Sequence, residues 1–455
     1  MTIGRLPVLA VAVAFLAAAC GSDSSPPAPS TGSEVGVATP SVAASGLESV
    51  TLAVPAGMDA APLDTQRQAL VPPGWTLSVF ARVPSARHAA WAPDGTLLVS
   101  VPENGTVVRL VPDGRGTAAV SELLTGLNQP HGLAFADSTL YVAQSDRVDA
   151  YTYADGQATN PRPVATDLPN ARSPDLRGRY AHALKSVAVG QDGSVYVSVG
   201  STGNISVDDL TATPPRASIL RVPPGGGPPE PFAVGVRNGT ALGVAPDGAV
   251  WTAVNNRDNI PFPYDRPYGD DSGSAQGRVI EEYVRDHPVE PFARLTPGRN
   301  LGWPYCNPDA DVDPGVRGSR QDFSDVPFVR DIQLNPDGQL LDCAALPPVE
   351  QALPGHSAPL GLSFVDGDLP GDYASGALVG VHGSWNASPP RAPEVSFFPW
   401  RDGDLGGQQT LVGGFQAADG SRWGRPVAAI AGPDSAVYIT DDAAGAVYRL
   451  APPAG

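Results

Sequence analysis

The feature that most constrains this chain is a short pattern that keeps returning: an apolar alternation, an Asp-containing turn, then a second alternation. Copies occupy 89–101 around Pro93-Asp94-Gly95, 133–143 around Asp137-Ser138, 187–199 around Asp192-Gly193, and 242–254 around Asp247-Gly248. A fifth runs through 427–440 around Pro433-Asp434-Ser435, and a weaker sixth is 360–364 before Asp366-Gly367. Period-2 alternation on both sides of such a turn predicts an antiparallel hairpin, because successive strand side chains face opposite ways. A repeat of roughly 40–50 residues means a propeller, since one four-stranded sheet cannot bury both its faces alone. Six copies therefore predict an all-β fold, a six-bladed β-propeller. The step from Asp247 to Asp366 is too long for one blade and predicts a loop-rich insertion over about 255–358, lying across the central channel.

Composition supports the same class. The chain has 51 Gly and 50 Pro among 455 residues. Together they make up about 22%, against a usual level of roughly 12%, and both residues break helices. With 29 basic against 47 acidic residues the net charge is −18, which argues against nucleic acid or an anionic membrane face as a partner.

The N-terminus reads as an address. Arg5, an apolar run over 6–19 and then Cys20 describe a secretory signal whose cysteine follows Ala17-Ala18-Ala19, as at a bacterial lipoprotein cleavage site. The run is shorter than the roughly 20 residues that a spanning helix needs. The expected organisation is a lipoprotein signal over 1–19, a Ser/Pro/Gly-rich tether over 20–65 and the propeller over 66–455. The protein is then exported and touches the membrane only through a lipid on Cys20. In an oxidising compartment the two remaining thiols, Cys306 and Cys343, are expected to pair.

Only six histidines are present, so each can be weighed. His88, His131 and His182 fall just before the first strand of their repeats, while His356 and His382 lie in Gly- and Ser-rich loops. A repeat puts equivalent positions at one end of a propeller, so these imidazoles either converge on one mouth or satisfy the backbone of a neighbouring blade. Arg237-Asn238 precedes the fourth hairpin, Asn255-Asn256-Arg257-Asp258 follows it, and Arg425 precedes the last. Arginines at strand ends facing a channel suit a ligand with several carboxylates, through bidentate forks. No G-x-S-x-G elbow, Walker or dinucleotide fingerprint, H-E-x-x-H or cysteine zinc spacing occurs.

Taken in order, several stretches resemble the PQQ-dependent sugar dehydrogenases, a family that includes soluble glucose dehydrogenase and the L-sorbosone dehydrogenase group. They are His182 with Gly190, Gly200-Ser201-Thr202-Gly203-Asn204, Gly235-Val236-Arg237-Asn238 and Asn300-Leu301-Gly302-Trp303-Pro304. His356-Ser357-Ala358-Pro359, His382-Gly383-Ser384-Trp385-Asn386 and Gly424-Arg425-Pro426 continue the series.

The resemblance implies a propeller with PQQ across its mouth and Ca²⁺ beside it. It implies His182 as the general base, and Arg237, Asn238, Asn255, His356 and Arg425 as cofactor contacts. It also implies Ca²⁺ ligation by the backbone carbonyls of Asn256 and Arg257. The implied reaction oxidises a sugar, and an external quinone, cytochrome or dye takes the electrons. Two positions depart from the pattern: Ala181 stands where soluble glucose dehydrogenase has an acid that orients the base, and Ala387 where the family usually has Arg. Without that acid the His182 imidazole is expected to titrate near 6.5, with activity rising through about pH 6–7. The alternatives are a Ca²⁺-dependent lactonase-like hydrolase, which needs acidic side chains at the strand starts, and a non-catalytic propeller that binds a glycan or protein.

Overall fold

The computed structural model describes residues 46–453. The expected hairpins form, and each becomes the inner half of one blade. The first blade pairs Ala89–Trp91, Leu97–Val101, Thr106–Pro112 and Ala118–Leu124 in antiparallel order. The second is Leu133–Ala136, Thr139–Ala143, Val148–Ala154 and Gln157–Ala165. The third is Val187–Val189, Val195–Val199, Ser218–Val222 and Glu230–Val234. The fourth is Ala241–Val244, Val250–Ala253, Glu290–Leu295 and Val349–Leu353. The fifth is Pro359–Asp366, Ser375–Val381, Glu394–Arg401 and Gln409–Val412.

The sixth blade closes the ring. Its inner strands Pro426–Ala431, Val437–Asp441 and Ala446–Ala451 come from the end of the chain, and its outer strand, Thr76–Arg82, from near the start. Leu77 stands opposite Leu450 in that pairing. The innermost strands of the six blades are neighbours all the way round. Every inner hairpin turns at the same end, and at four of them the Asp side chain accepts the N–H two residues on: Thr96, Ser194, Ala249 and Ala436. This local cap is why Asp recurs at the turn.

Burial explains the number of sheets. Six separate apolar clusters occupy the six spaces between adjacent blades, for example Leu98, Val107, Leu133 and Leu140 between the first and second. Each blade is thus covered on both faces by its neighbours, as a twisted four-stranded sheet requires.

Two expectations give way. Residues 46–65, read as the end of a tether, are folded: Glu48–Thr51 pairs with Gln68–Val71, and Leu52 and Leu63 are buried in the cluster between the fifth and sixth blades. The long insertion over 255–358 is not one loop. It contains the third and fourth strands of its own blade, with one arm between the second and third strands and another between the third and fourth. The first arm has a small core of Ile260, Phe262, Tyr268, Ala275 and Tyr283 and a short helix, Glu281–Asp286. The second passes along the outer edge of the third blade, where Arg299–Asn300 pairs in parallel with Ala233 and Val234. It carries the Cys306–Cys343 disulfide, with Cα atoms 5.6 Å apart, as the cysteine count predicts. The signal, Cys20 and most of the tether lie outside the described residues.

Candidate functional site at the propeller mouth

The connections into the innermost strands and those between second and third strands open at the end opposite the Asp turns. His182, Arg237, Asn238, His356 and Arg425 sit on the first kind of connection, and Asn255, Asn256, Arg257 and Asp258 on the second. The repeat geometry therefore places all the expected site residues at one mouth.

His182 is half-buried, and its Nδ1 lies 3.0 Å from the Ser201 carbonyl oxygen and 2.9 Å from Ser201 Oγ. A carbonyl can only accept, and the Ser201 hydroxyl already donates to the Gly203 carbonyl at 2.7 Å. Nδ1 must therefore carry the proton, which leaves the Nε2 lone pair exposed as a base. A backbone carbonyl thus does the orienting that an acid at position 181 would do. Burial first, and then the Arg237 charge, pull the imidazole down to about 3, well below the expected 6.5. Gly200 makes the placement possible: a Cβ there would stand 2.5 Å from the His182 Cβ and 3.0 Å from Asn238 Oδ1.

Arg237 is buried across the mouth wall, donating to the Asn255 carbonyl at 3.1 Å and to Asn204 Oδ1 at 3.2 Å, with Asp258 at 3.6 Å. Asn204 ties this corner together, since its Oδ1 also accepts the Asp258 N–H at 2.8 Å and its carbonyl accepts Trp303 Nε1–H at 3.2 Å. Beside Arg237, the buried Asn238 has an Oδ1 with no hydrogen-bond partner among the described residues. Asn255 donates its backbone N–H to the Asn238 carbonyl at 2.9 Å, which puts the two amide side chains on adjacent strand ends.

The Asn256 and Arg257 side chains turn into the wall. Asn256 Oδ1 accepts the Arg257 N–H at 2.9 Å, and Arg257 is fully buried against Asp331 and Gln333. At this pair only the main chain is left to offer oxygens to the mouth. Glu290, buried beneath it, accepts the Asn256 N–H, and burial raises its carboxyl to about 7.

His356 has both ring nitrogens committed, Nδ1 to Asp258 at 3.1 Å and Nε2 to the Val284 carbonyl at 2.5 Å. Burial opposes its charge, but Asp258 and that carbonyl outweigh it and raise the pKa. It is a strut between the fifth blade, the mouth and the insertion helix, and it can meet a ligand only through its ring surface. Arg425 stands further round, donating Nε–H to the His382 carbonyl at 3.0 Å. His382 in turn pairs with Asp442 at 2.8 Å, as does Arg87 at 2.5 Å.

His88 and His131 lie deeper in the channel with ring centres 4.4 Å apart. Each bonds a carbonyl of another blade, His88 to Leu360 at 3.0 Å and His131 to Lys185 at 3.2 Å. For these two the structural reading holds. On the insertion side the mouth adjoins a cavity of about 390 Å³ lined by Asn259, Val284, Trp385 and Asn386, with Trp385 77% exposed.

Glu290 escaped sequence reasoning, and Ser201, Asn204 and Asp258 stood in the quoted stretches without a role. All four act through contacts made across blades, which no local pattern encodes. Lys185 could have been found by counting. It is the only lysine in the chain, it is fully buried with Nζ 2.7 Å from the Ala183 carbonyl, and burial lowers it to about 7.

A six-bladed propeller with a polar mouth, one oriented neutral imidazole and two arginines defines the class. The chain belongs to the TrAA12-like family, which matches it over residues 69–452. Among solved structures it is similar to the PQQ domain of pyranose dehydrogenase from Coprinopsis cinerea in its holo form. That match has a TM-score of 0.68 and 20% identity, covering 85% of this chain and 97% of that one. A carbohydrate-active enzyme of family AA12 from Trichoderma reesei matches with a TM-score of 0.65 and 18% identity, over 84% and 97% of the two chains. An uncharacterized protein of Borreliella burgdorferi is 23% identical over 398 residues, 84% of this chain and 90% of that one.

Proposed function

We propose that this protein oxidises a sugar or sugar-derived aldose, using PQQ and Ca²⁺ and passing the electrons to an external acceptor such as a quinone, a cytochrome or a dye. The observation that carries the reading is the His182 tautomer: a neutral imidazole with an unprotonated Nε2 at a mouth that also holds Arg237, Asn238 and Arg425. Membership of the TrAA12-like family and the PQQ-bearing pyranose dehydrogenase domain among its structural likenesses support it.

The residues present fit the cofactor pair. Arg237 and Arg425 are cations for a polycarboxylate, and the orphaned Asn238 Oδ1 is a buried acceptor with nothing yet to accept from. Asn255 and His356 complete that wall, and the main-chain oxygens of Asn256 and Arg257 are the hard donors that Ca²⁺ prefers. When bound, the pair supplies an electrophilic quinone carbonyl, polarised by the metal, that takes up a hydride.

The chain's own part is proton handling and positioning. His182 Nε2 takes the proton of the sugar hydroxyl, and the Ser201 carbonyl steadies the imidazolium through Nδ1–H. The Arg237–Asp258–His356 chain fixes the wall beside it. Arg5, the apolar run and Cys20 lead us to place this activity on an exported, lipid-anchored chain.

The test is reconstitution of the purified chain with PQQ and Ca²⁺ followed by an aldose screen with a reducible dye. Sugar-dependent dye reduction that needs both additions is expected; a chain that binds PQQ but reduces no dye with any sugar contradicts the reading.

A further inference from the structure

The two arms of the insertion meet at a cluster that the mouth chemistry does not use. His287 follows the helix of the first arm, while Asp309 and Asp311 follow the strand Cys306–Pro308 of the second. All three are buried or nearly so, and one ligand atom from each lies within 4.8 Å of the others. His287 Nδ1–H donates to the Tyr283 carbonyl at 2.8 Å, which turns Nε2 toward the carboxylates. A backbone carbonyl on the far nitrogen is the usual orienting partner of a metal-binding histidine.

Nε2 stands 3.5 Å from Asp309 Oδ1 and 3.3 Å from Asp311 Oδ2. These separations exceed the roughly 2.7–2.9 Å of a charge-assisted hydrogen bond. They fall within the vertex-to-vertex distance of a tetrahedron with metal–ligand bonds of about 2.0–2.2 Å, which is about 3.3–3.6 Å. A second observation points the same way. The Tyr283 ring stacks on His287 at 4.0 Å and 11°, and its buried hydroxyl has no hydrogen-bond partner among the described residues. Tyr264 O–H holds the other Asp309 oxygen at 2.8 Å.

We propose that His287, Asp309 and Asp311 form a divalent metal site, distinct from the mouth, that takes Zn²⁺ with a water at the fourth vertex. One nitrogen and two carboxylates suit a first-row transition ion, whereas Ca²⁺ and Mg²⁺ take oxygen donors. The ion staples the two arms together and holds the helix whose Val284 carbonyl accepts His356 Nε2. It is structural, and it acts on the mouth only by stiffening its wall.

The experiment uses the purified full chain without PQQ or sugar, in Ca²⁺-containing buffer, so that its outcome is independent of the oxidation reading. Wild-type protein is expected to retain one Zn²⁺ per chain through desalting and to give the intense d–d bands of tetrahedral cobalt when loaded with Co²⁺. Asp311→Asn should lower Zn²⁺ affinity by at least about a hundredfold, since even outer-shell changes cost 10–100-fold. Zn²⁺ should also raise the Tm of the wild type but not of Asp311→Asn. Absence of bound Zn²⁺ in the wild type, an octahedral cobalt spectrum, or equal affinity in Asp311→Asn overturns the proposal and leaves a protonated histidine bridging two carboxylates. If the variant does not fold, the wild-type cobalt spectrum decides alone.

Discussion

At the scale of single residues, the proposed base His182 carries a definite pH expectation. Its pKa is lowered to about 3, so it stays neutral until the pH falls toward that value, and the base is available at every higher pH. We expect kcat/KM for sugar to show no inflection from His182 between about pH 5 and 8. An inflection near 6.5 that disappears in a His182 variant contradicts this. The sequence resemblance singles out His182, but its lowered pKa was not legible. Ala181 removes the expected acid, and only the fold reveals that the Ser201 carbonyl replaces it while Arg237 opposes protonation. Arg425 was equally legible as a cation at a strand end, but its anchoring to the His382 carbonyl was not. Arg425→Ala should weaken PQQ binding by about 2–5 kcal/mol, the cost of leaving a buried carboxylate unpaired. Titration of the variant by cofactor absorbance checks this, and equal affinity places Arg425 outside the cofactor site.

At the scale of elements, blade contacts leave little tolerance. Gly380 lies on the second strand of the fifth blade, where a Cβ would approach the Val427 carbonyl oxygen of the sixth to 2.0 Å. Gly380→Ala should therefore cost about 1–3 kcal/mol or more in denaturant unfolding, because backbone cannot yield as a side-chain tip can. A stability equal to wild type shows that these blades slide apart freely. The Cys306–Cys343 bridge spans 37 residues of the second arm. Replacing both cysteines by serine should lower stability by about 3–4 kcal/mol in the chain-entropy account. The inner hairpins were the most legible elements, since turn chemistry and alternation are both local. The outer strands of the fourth blade were not, because two arms separate them from the hairpin they complete.

At the scale of the whole molecule, closure depends on a pairing between chain ends. Thr76–Arg82 carries no repeat signature because its partner, Ala446–Ala451, lies at the other end of the sequence. The folded start of the chain, with Leu52 and Leu63 buried, was illegible for the same reason: long-range packing, rather than composition, orders it. Removal of the chain through residue 82 should abolish cooperative unfolding by exposing the sixth blade's edge. At the same scale, Cys20→Ser should release the protein from the membrane fraction, and unchanged association counts against a lipid anchor.

The most direct test of the central claim is the rate of sugar-dependent dye reduction by His182→Ala, measured with PQQ occupancy in the same sample. Near wild-type PQQ occupancy is expected with a rate about 10²–10⁴-fold lower, because the variant loses the proposed general base and keeps the arginines proposed to hold the cofactor. Wild-type turnover by the PQQ-loaded variant would contradict it and require another base at this mouth.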